Sequence, residues 1–209
     1  MTCTLHYVHD PMCSWCWAFR PTWDRIVQEL PDNISTHRLL GGLAPDSDLP
    51  MPLEMRSYLQ KTWRTIEQRV PGTRFNFAFW EECQPRRSTY PACRAVICAK
   101  NQGTEFEEPM ILAVQQAYYL QARSRSDDDT LIALAGKLGL DTQKFANELH
   151  SEPTRQTLES EIALGLRIGA RGFPSLILES GGSNLTLRYD YLDPEVVLRQ
   201  LTKPQFLTQ

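Results

Sequence analysis

The sequence predicts an α/β fold interrupted by a block of helices, and three observations predict it. Residues 5–40 read strand, helix, strand. A proline-rich stretch then opens a long, mostly helical region, 45–155. Residues 156–209 return to a helix, two alternating runs and a final helix. Segments 1–44 and 156–209 are therefore expected to form one α/β domain, with 45–155 as an inserted all-helical domain.

The opening run, residues 5–8, reads as a short strand ending just before Cys13-Ser14-Trp15-Cys16. Trp23, Ile26, Val27 and Leu30 then recur at the spacing of one helix face, which predicts a helix over 14–30. Pro21 lies inside it and is expected to bend or break it. Residues 34–40 form the second strand candidate, closed by Gly41-Gly42. A strand–helix–strand unit favours a right-handed crossover and a parallel pair.

In the middle region Met55, Leu59, Trp63, Ile66 and Val70 mark a helix stopped by Pro71-Gly72. Phe75, Phe77 and Phe79 alternate, then Trp80 follows, which reads as a short extended piece. Pro91 opens the next helix at its favoured first turn, and Gln102-Gly103 ends it. Thr104 and Glu107 have the spacing of a capping box before a helix carrying Met110, Val114 and Tyr118. Asp127-Asp128-Asp129 places negative charge at a helix start, with Leu131, Leu134 and Leu138 behind it. Asp141 is expected to cap a shorter helix with Phe145 and Leu149. These stripes are read as core packing.

The last region begins with Leu158, Ile162 and Leu166 on a helix that stops at Gly169. Residues 175–179 and 185–189 read as an antiparallel hairpin turning at Gly181-Gly182. Asp193-Pro194 starts a final helix with Val196, Val197 and Leu201.

The chemistry concentrates at the Cys-x-x-Cys. At a helix start the first backbone N–H groups lack partners and favour a negative charge. Cys13 would face those groups, and Cys16 lies about one turn further on, less exposed and within reach of a mixed disulfide on Cys13. The pattern implies thiol–disulfide exchange, with Cys13 attacking and Cys16 resolving. Half of a zinc site is the competing reading, but structural zinc takes four ligands. Cys83, Cys93 and Cys98 supply no second Cys-x-x-Cys, and the histidines are scattered. Cys93 and Cys98 lie roughly 7.5 Å apart along one predicted helix and about 140° around it, too divergent for a disulfide. Cys83 joined to one of them would make a second redox site; the alternative, that Cys3, Cys83, Cys93 and Cys98 are dispensable, is the main expectation. His9 is read as a surface or capping residue. No buried acid or base between the sulfurs is assigned.

A net charge of −3 over 209 residues argues against general nucleic-acid binding. No apolar run is long enough for a membrane span. Residues 1–6 lack the basic and apolar regions of a secretory leader, so the expected compartment is the cytoplasm. Six cysteines then read as thiols with one redox pair.

The order of elements, the Met12-Cys13-Ser14-Trp15-Cys16-Trp17 context and Gly172-Phe173-Pro174 before the third strand together resemble the thioredoxin superfamily. More closely the chain is similar to the DsbA family, in which a helical domain interrupts a thioredoxin-like fold, and the cytosolic FrnE-type oxidoreductases look nearest. The resemblance implies Cys13 as nucleophile, Cys16 as resolving cysteine and Pro174 as a cis-proline facing them. Phe173 and Pro174 would bind substrate. Trp15 would face substrate or pack on the helical domain. The implied activity is that of a dithiol–disulfide oxidase, isomerase or reductase acting on protein or small-molecule disulfides and thiols. It would need no cofactor or metal, with glutathione or thioredoxin as a recycling thiol. Ser14-Trp15 is neither the Pro-His of periplasmic DsbA nor the Gly-Pro of thioredoxin, so the direction of electron flow does not carry over. Two other functions stay open. One is a glutathione-dependent enzyme of the kappa-transferase and hydroxychromene-carboxylate-isomerase kind, which uses a serine at the active position. The other is a non-enzymatic, redox-responsive binding module.

Overall fold

The computed structural model describes residues 3–122 and 128–202. Strands β1 (Cys3–His9) and β2 (Ile34–Leu40) are joined through helix α1 (Ser14–Gln28). They pair in parallel, from Cys3 opposite Ile34 to His9 opposite Leu40, as a right-handed crossover requires. β3 (Ser175–Ser180) flanks β1 on the other side, antiparallel, with Val8 opposite Ser175. β4 (Ser183–Thr186) completes the order β2-β1-β3-β4. It begins at Ser183 rather than at residue 185, because Gly181 and Gly182, at φ of 56° and 77°, make a turn tight enough to pair Ser180 with Ser183. Leu187, just beyond it, is buried and carries the pairing one step further, its N–H donating to Leu176 O at 2.8 Å.

Both faces of β1 are covered, which explains its near-continuous burial. Leu5 and Tyr7 meet Phe19, Trp23 and Ile26 of α1, with Val197 and Leu201 of helix α9 (Glu195–Leu201) in the same cluster. On the other face Val8, Leu39 and Ile177 pack with Ile168 of helix α8 (Glu152–Ile168). Gly165 lets α8 lie close, since a Cβ there would sit 3.2 Å from Val8. α1 runs through Pro21 without a break. Buried Ala18 and Phe19 before it, and Thr22 and Trp23 after it, hold both sides in place.

The intervening helices are α2 (Leu53–Arg69), α3 (Phe79–Glu82), α4 (Tyr90–Gln102), α5 (Glu107–Tyr119), α6 (Asp128–Lys137) and α7 (Thr142–Leu149). Trp63 of α2 is their aromatic centre, with ring centroids of Phe75 and Trp80 each 4.8 Å away. The expected extended piece at 75–80 is instead a turn into α3. Its alternating phenylalanines all approach Trp63, so their spacing reflects a wrapped aromatic rather than a strand. The capping box at 104–107 also does not form. Thr104 opens a 3₁₀ turn, and α5 starts at Glu107 without a side-chain cap. Glu107 instead pairs with Lys100 at 2.7 Å. Asp128 and Asp129 lie in the first turn of α6, while Asp127 lies outside the described residues. Asp141 caps α7 by accepting from the Lys144 N–H. α8 begins at Glu152 and so crosses the expected border at 155/156 as one continuous helix. Among the described residues no helix is long and apolar enough to cross a membrane.

Candidate active site

The register of the sheet sets the site. Val8 pairs with Ser175 and His9 with Leu40, so the residues just past β1, just past β2 and just before β3 emerge at the same end. Those residues are the Cys-x-x-Cys turn, Gly41-Gly42 and Gly172-Phe173-Pro174. Crevices at strand ends are the usual binding places of such sheets.

Cys13 is the N-cap of α1, in extended conformation at φ −83° and ψ 116°. Its N–H donates to Asp10 O at 3.0 Å, closing the turn before the helix. Its thiol points at Phe173 O, 3.6 Å away, and the Phe173–Pro174 bond is cis. Cys13 is 7% exposed and Cys16 1%. All six cysteines are unpaired. The Cys16 thiol lies close to Cys13 and to the Tyr7 side chain of β1. Burial, reinforced by the neighbouring Cys13, pushes the Cys16 thiol well above its ordinary range. Cys83 bonds to Ala122 O at 2.9 Å and Cys93 to Asp10 at 3.5 Å, so these two thiols face different partners.

Asp10 is the group that sequence reasoning missed. It is fully buried, yet it accepts from Met12 N–H, Leu43 N–H and the Thr89 hydroxyl, each at 2.7 Å. Burial raises its carboxyl above the usual range, while these bonds oppose the rise. It thereby ties the active-site turn to the loop after β2 and to the start of α4. Part of this was legible: an Asp two residues before Met12, followed by Pro11, is an Asx-turn signature. The bond to Thr89 was not, being 79 residues away. His9, expected at the surface, is buried and stacks on Tyr7 with centroids 4.9 Å apart. A strand flanked on both sides leaves no open face for it.

Beside Cys13 opens a cleft of about 610 Å³. Met12, Trp15 and Phe173 line it together with Tyr58, Leu59 and Trp63 of α2. The Phe173 ring lies directly on Gly41, where a Cβ would fall 1.9 Å from it. Trp15 is half-buried: it lines the cleft and also packs on Tyr191, 5.1 Å between centroids. Cys13, Cys16, Trp15, Phe173 and Pro174 are thus gathered at one place, joined by Asp10, Tyr7, Thr89 and Gly41. Among the described residues no cluster of three metal-ligating side chains is present.

Comparison with known proteins agrees with this geometry. A profile of the family described as thioredoxin matches residues 6–186. A solved structure from Nitrosomonas europaea, described as a candidate protein disulfide isomerase, superposes with a TM-score of 0.82 at 29% identity, covering 96% of each chain. The cytosolic disulfide reductase DsbM from Pseudomonas aeruginosa superposes with a TM-score of 0.73 at 26% identity, covering 88% of this chain and 89% of that one. DsbM has also been solved with glutathione. The ClpXP adapter protein SpxH of Bacillus subtilis is 22% identical over 80% of this chain. The chain spans 55% of that relative's length.

Proposed function

The chain belongs to the thioredoxin family, in the DsbA-like form whose fold is interrupted by helices, and from that premise we propose that it is a thiol–disulfide oxidoreductase working through Cys13 and Cys16. The observation that carries the reading is the pair of free thiols, Cys13 and Cys16, at the start of α1, with the more open sulfur facing Phe173 O at the cleft.

In the reducing direction the Cys13 thiolate attacks one sulfur of a substrate disulfide, and the other sulfur leaves as a thiolate. Cys16 then attacks the Cys13 sulfur, releases the second half as a thiol and closes the Cys13–Cys16 disulfide. Two electrons pass to the substrate, and the reverse sequence oxidises a dithiol. Tyr7, close to Cys16, is the group placed to hold a proton near it. Phe173, Pro174 and Trp15 form the substrate-facing wall. Residues 1–44 and 156–209 act as the redox domain, and 45–155 supplies the far wall of the cleft. We place the chain among the cytosolic FrnE-type enzymes, with a recycling thiol such as glutathione; the DsbM structure with glutathione supports that partner class.

The test is trapping. Cys16→Ser is expected to accumulate mixed disulfides through Cys13, and Cys13→Ser to abolish reduction of insulin or of a small disulfide used as reporter. Equal trapping in both variants would overturn the assignment. Isomerase or transferase activity surviving loss of both cysteines would favour the glutathione-dependent alternative. A second reading, as a redox-responsive binding module, is favoured by the adapter names of the curated relatives. It predicts partner binding that changes with the redox state of the cysteine pair, without turnover of any disulfide.

A further inference from the structure

The cleft beside Cys13 runs against the charge of the molecule. The chain carries a net charge of −3. Yet Arg86, Arg87 and Arg171 line this cleft, with no Asp, Glu or Lys among its described lining residues. The three guanidiniums are not equivalent. Arg86 pairs with Asp48 at 2.9 Å. Arg171, in the loop that leads to Pro174, donates to Leu166 O at 3.1 Å and Ala170 O at 2.9 Å. Those carbonyls hold its position but leave its charge without a carboxylate among the described residues. Arg87 is half-buried, just before Thr89 at the start of α4. It has no carboxylate partner among the described residues.

A half-buried guanidinium with no carboxylate beside it among the described residues keeps its charge free for an incoming anion. Arginine suits a carboxylate, which it can grip with two parallel hydrogen bonds. The remaining lining is mostly apolar and aromatic, with the hydroxyl side chains Ser14, Thr62, Ser88 and Thr89, and the volume of about 610 Å³ suits a ligand of a few residues rather than a folded protein surface. Resting on the oxidoreductase reading, we propose that this cleft selects small, carboxylate-bearing peptide disulfides and their thiols, with Arg87 as the specificity-determining residue and Arg171 assisting. The apolar floor takes the peptide body and Cys13 meets its sulfur. The exchange itself is unchanged: Cys13 displaces one half of the disulfide as a thiolate, and Cys16 displaces the other.

The experiment compares kcat/KM for oxidised glutathione, 2-hydroxyethyl disulfide and cystamine, which are anionic, neutral and cationic. Wild type is expected to prefer the anionic disulfide, and the preference should shrink as salt rises. Arg87→Gln is expected to lower the anionic-to-neutral ratio about tenfold, equivalent to about 1.4 kcal/mol, chiefly through KM. Arg199→Gln, at an exposed position of α9, should keep the wild-type ratio. An unchanged ratio in Arg87→Gln, a wild type indifferent to substrate charge, or a wild type that turns over protein disulfides far better than all three small ones would overturn the proposal. S-methylglutathione, which cannot exchange, supplies a readout independent of turnover. Saturable binding that weakens about tenfold in Arg87→Gln supports the cleft assignment even if no disulfide is turned over, and absence of binding overturns it. Inactivity on every disulfide with that binding intact would sink the oxidoreductase reading alone.

Discussion

Two residues beside the sulfurs carry consequences that can be measured. His9 is buried, and its Nε2 has no hydrogen-bond partner among the described residues. Burial, then the charges of Arg38, Arg20 and Lys100, lower its pKa from 6.5 to about 3. Between those values the unfolded chain takes up a proton that the native chain refuses. The stability it contributes is therefore complete above about 6.5 and lost as pH falls toward 3, at roughly 1.4 kcal/mol per pH unit. Asp10 is raised by burial and acts with the opposite sign, its contribution declining as pH rises above 3.8. Comparing urea midpoints of wild type and His9→Gln from neutral pH to pH 4.5 isolates the histidine. The variant should show a flatter acid limb, and equal slopes would refute the argument. Gly41 is the second case. A methyl group there meets the Phe173 ring at 1.9 Å. Gly41→Ala should therefore push that ring off the backbone, cost about 1–3 kcal/mol and slow exchange through the displaced loop. A variant matching wild type in both melting and turnover would show that the ring moves freely.

At the scale of elements, the clearest prediction concerns a helix start. Asp141 accepts from Lys144 N–H at 2.9 Å, and its backbone N–H in turn donates to Gln102 Oε1 at 2.9 Å. The cap thus fixes α7 while α4 holds the cap. Asp141→Ala should cost about 1 kcal/mol, within the usual 0.5–2 for a lost cap, read from a denaturant midpoint with an unchanged slope. Asp141→Asn should recover most of it. The missing capping box at 104–107 makes the contrast: a matching sequence pattern stays unused when Lys100 and Arg38 engage the Glu107 carboxylate.

For the molecule as a whole, the helical region and the sheet share their border. Met12, Ala18 and Leu40, which flank the active-site turn, belong to the core cluster centred on the helices. Asp10 ties β1 to α4 through Thr89, and Tyr191 packs against both main clusters. Unfolding is therefore expected to be one transition, with tryptophan fluorescence and far-UV circular dichroism coinciding across a urea titration. Two separated transitions would make the two regions independent.

The sequence by itself determined the α/β class, the parallel pair, the hairpin and the helices. Each depends on local periodicity and on turn residues that act within a few positions. Cys-x-x-Cys at a strand–helix junction was likewise local, and it pointed to the sulfur chemistry. What surrounds the sulfurs is not local. Phe173 reaches Cys13 because β3 pairs antiparallel with β1, Thr89 reaches Asp10 across 79 residues, and Arg87 and Arg171 meet in one cleft from distant segments. The family resemblance already implies the loop of Pro174 opposite the cysteines; only the tertiary structure decided the contacts of Thr89, Arg87 and Arg171. Burial and charge at a point are sums over every segment packed there, and a pattern read along the chain carries no term for them.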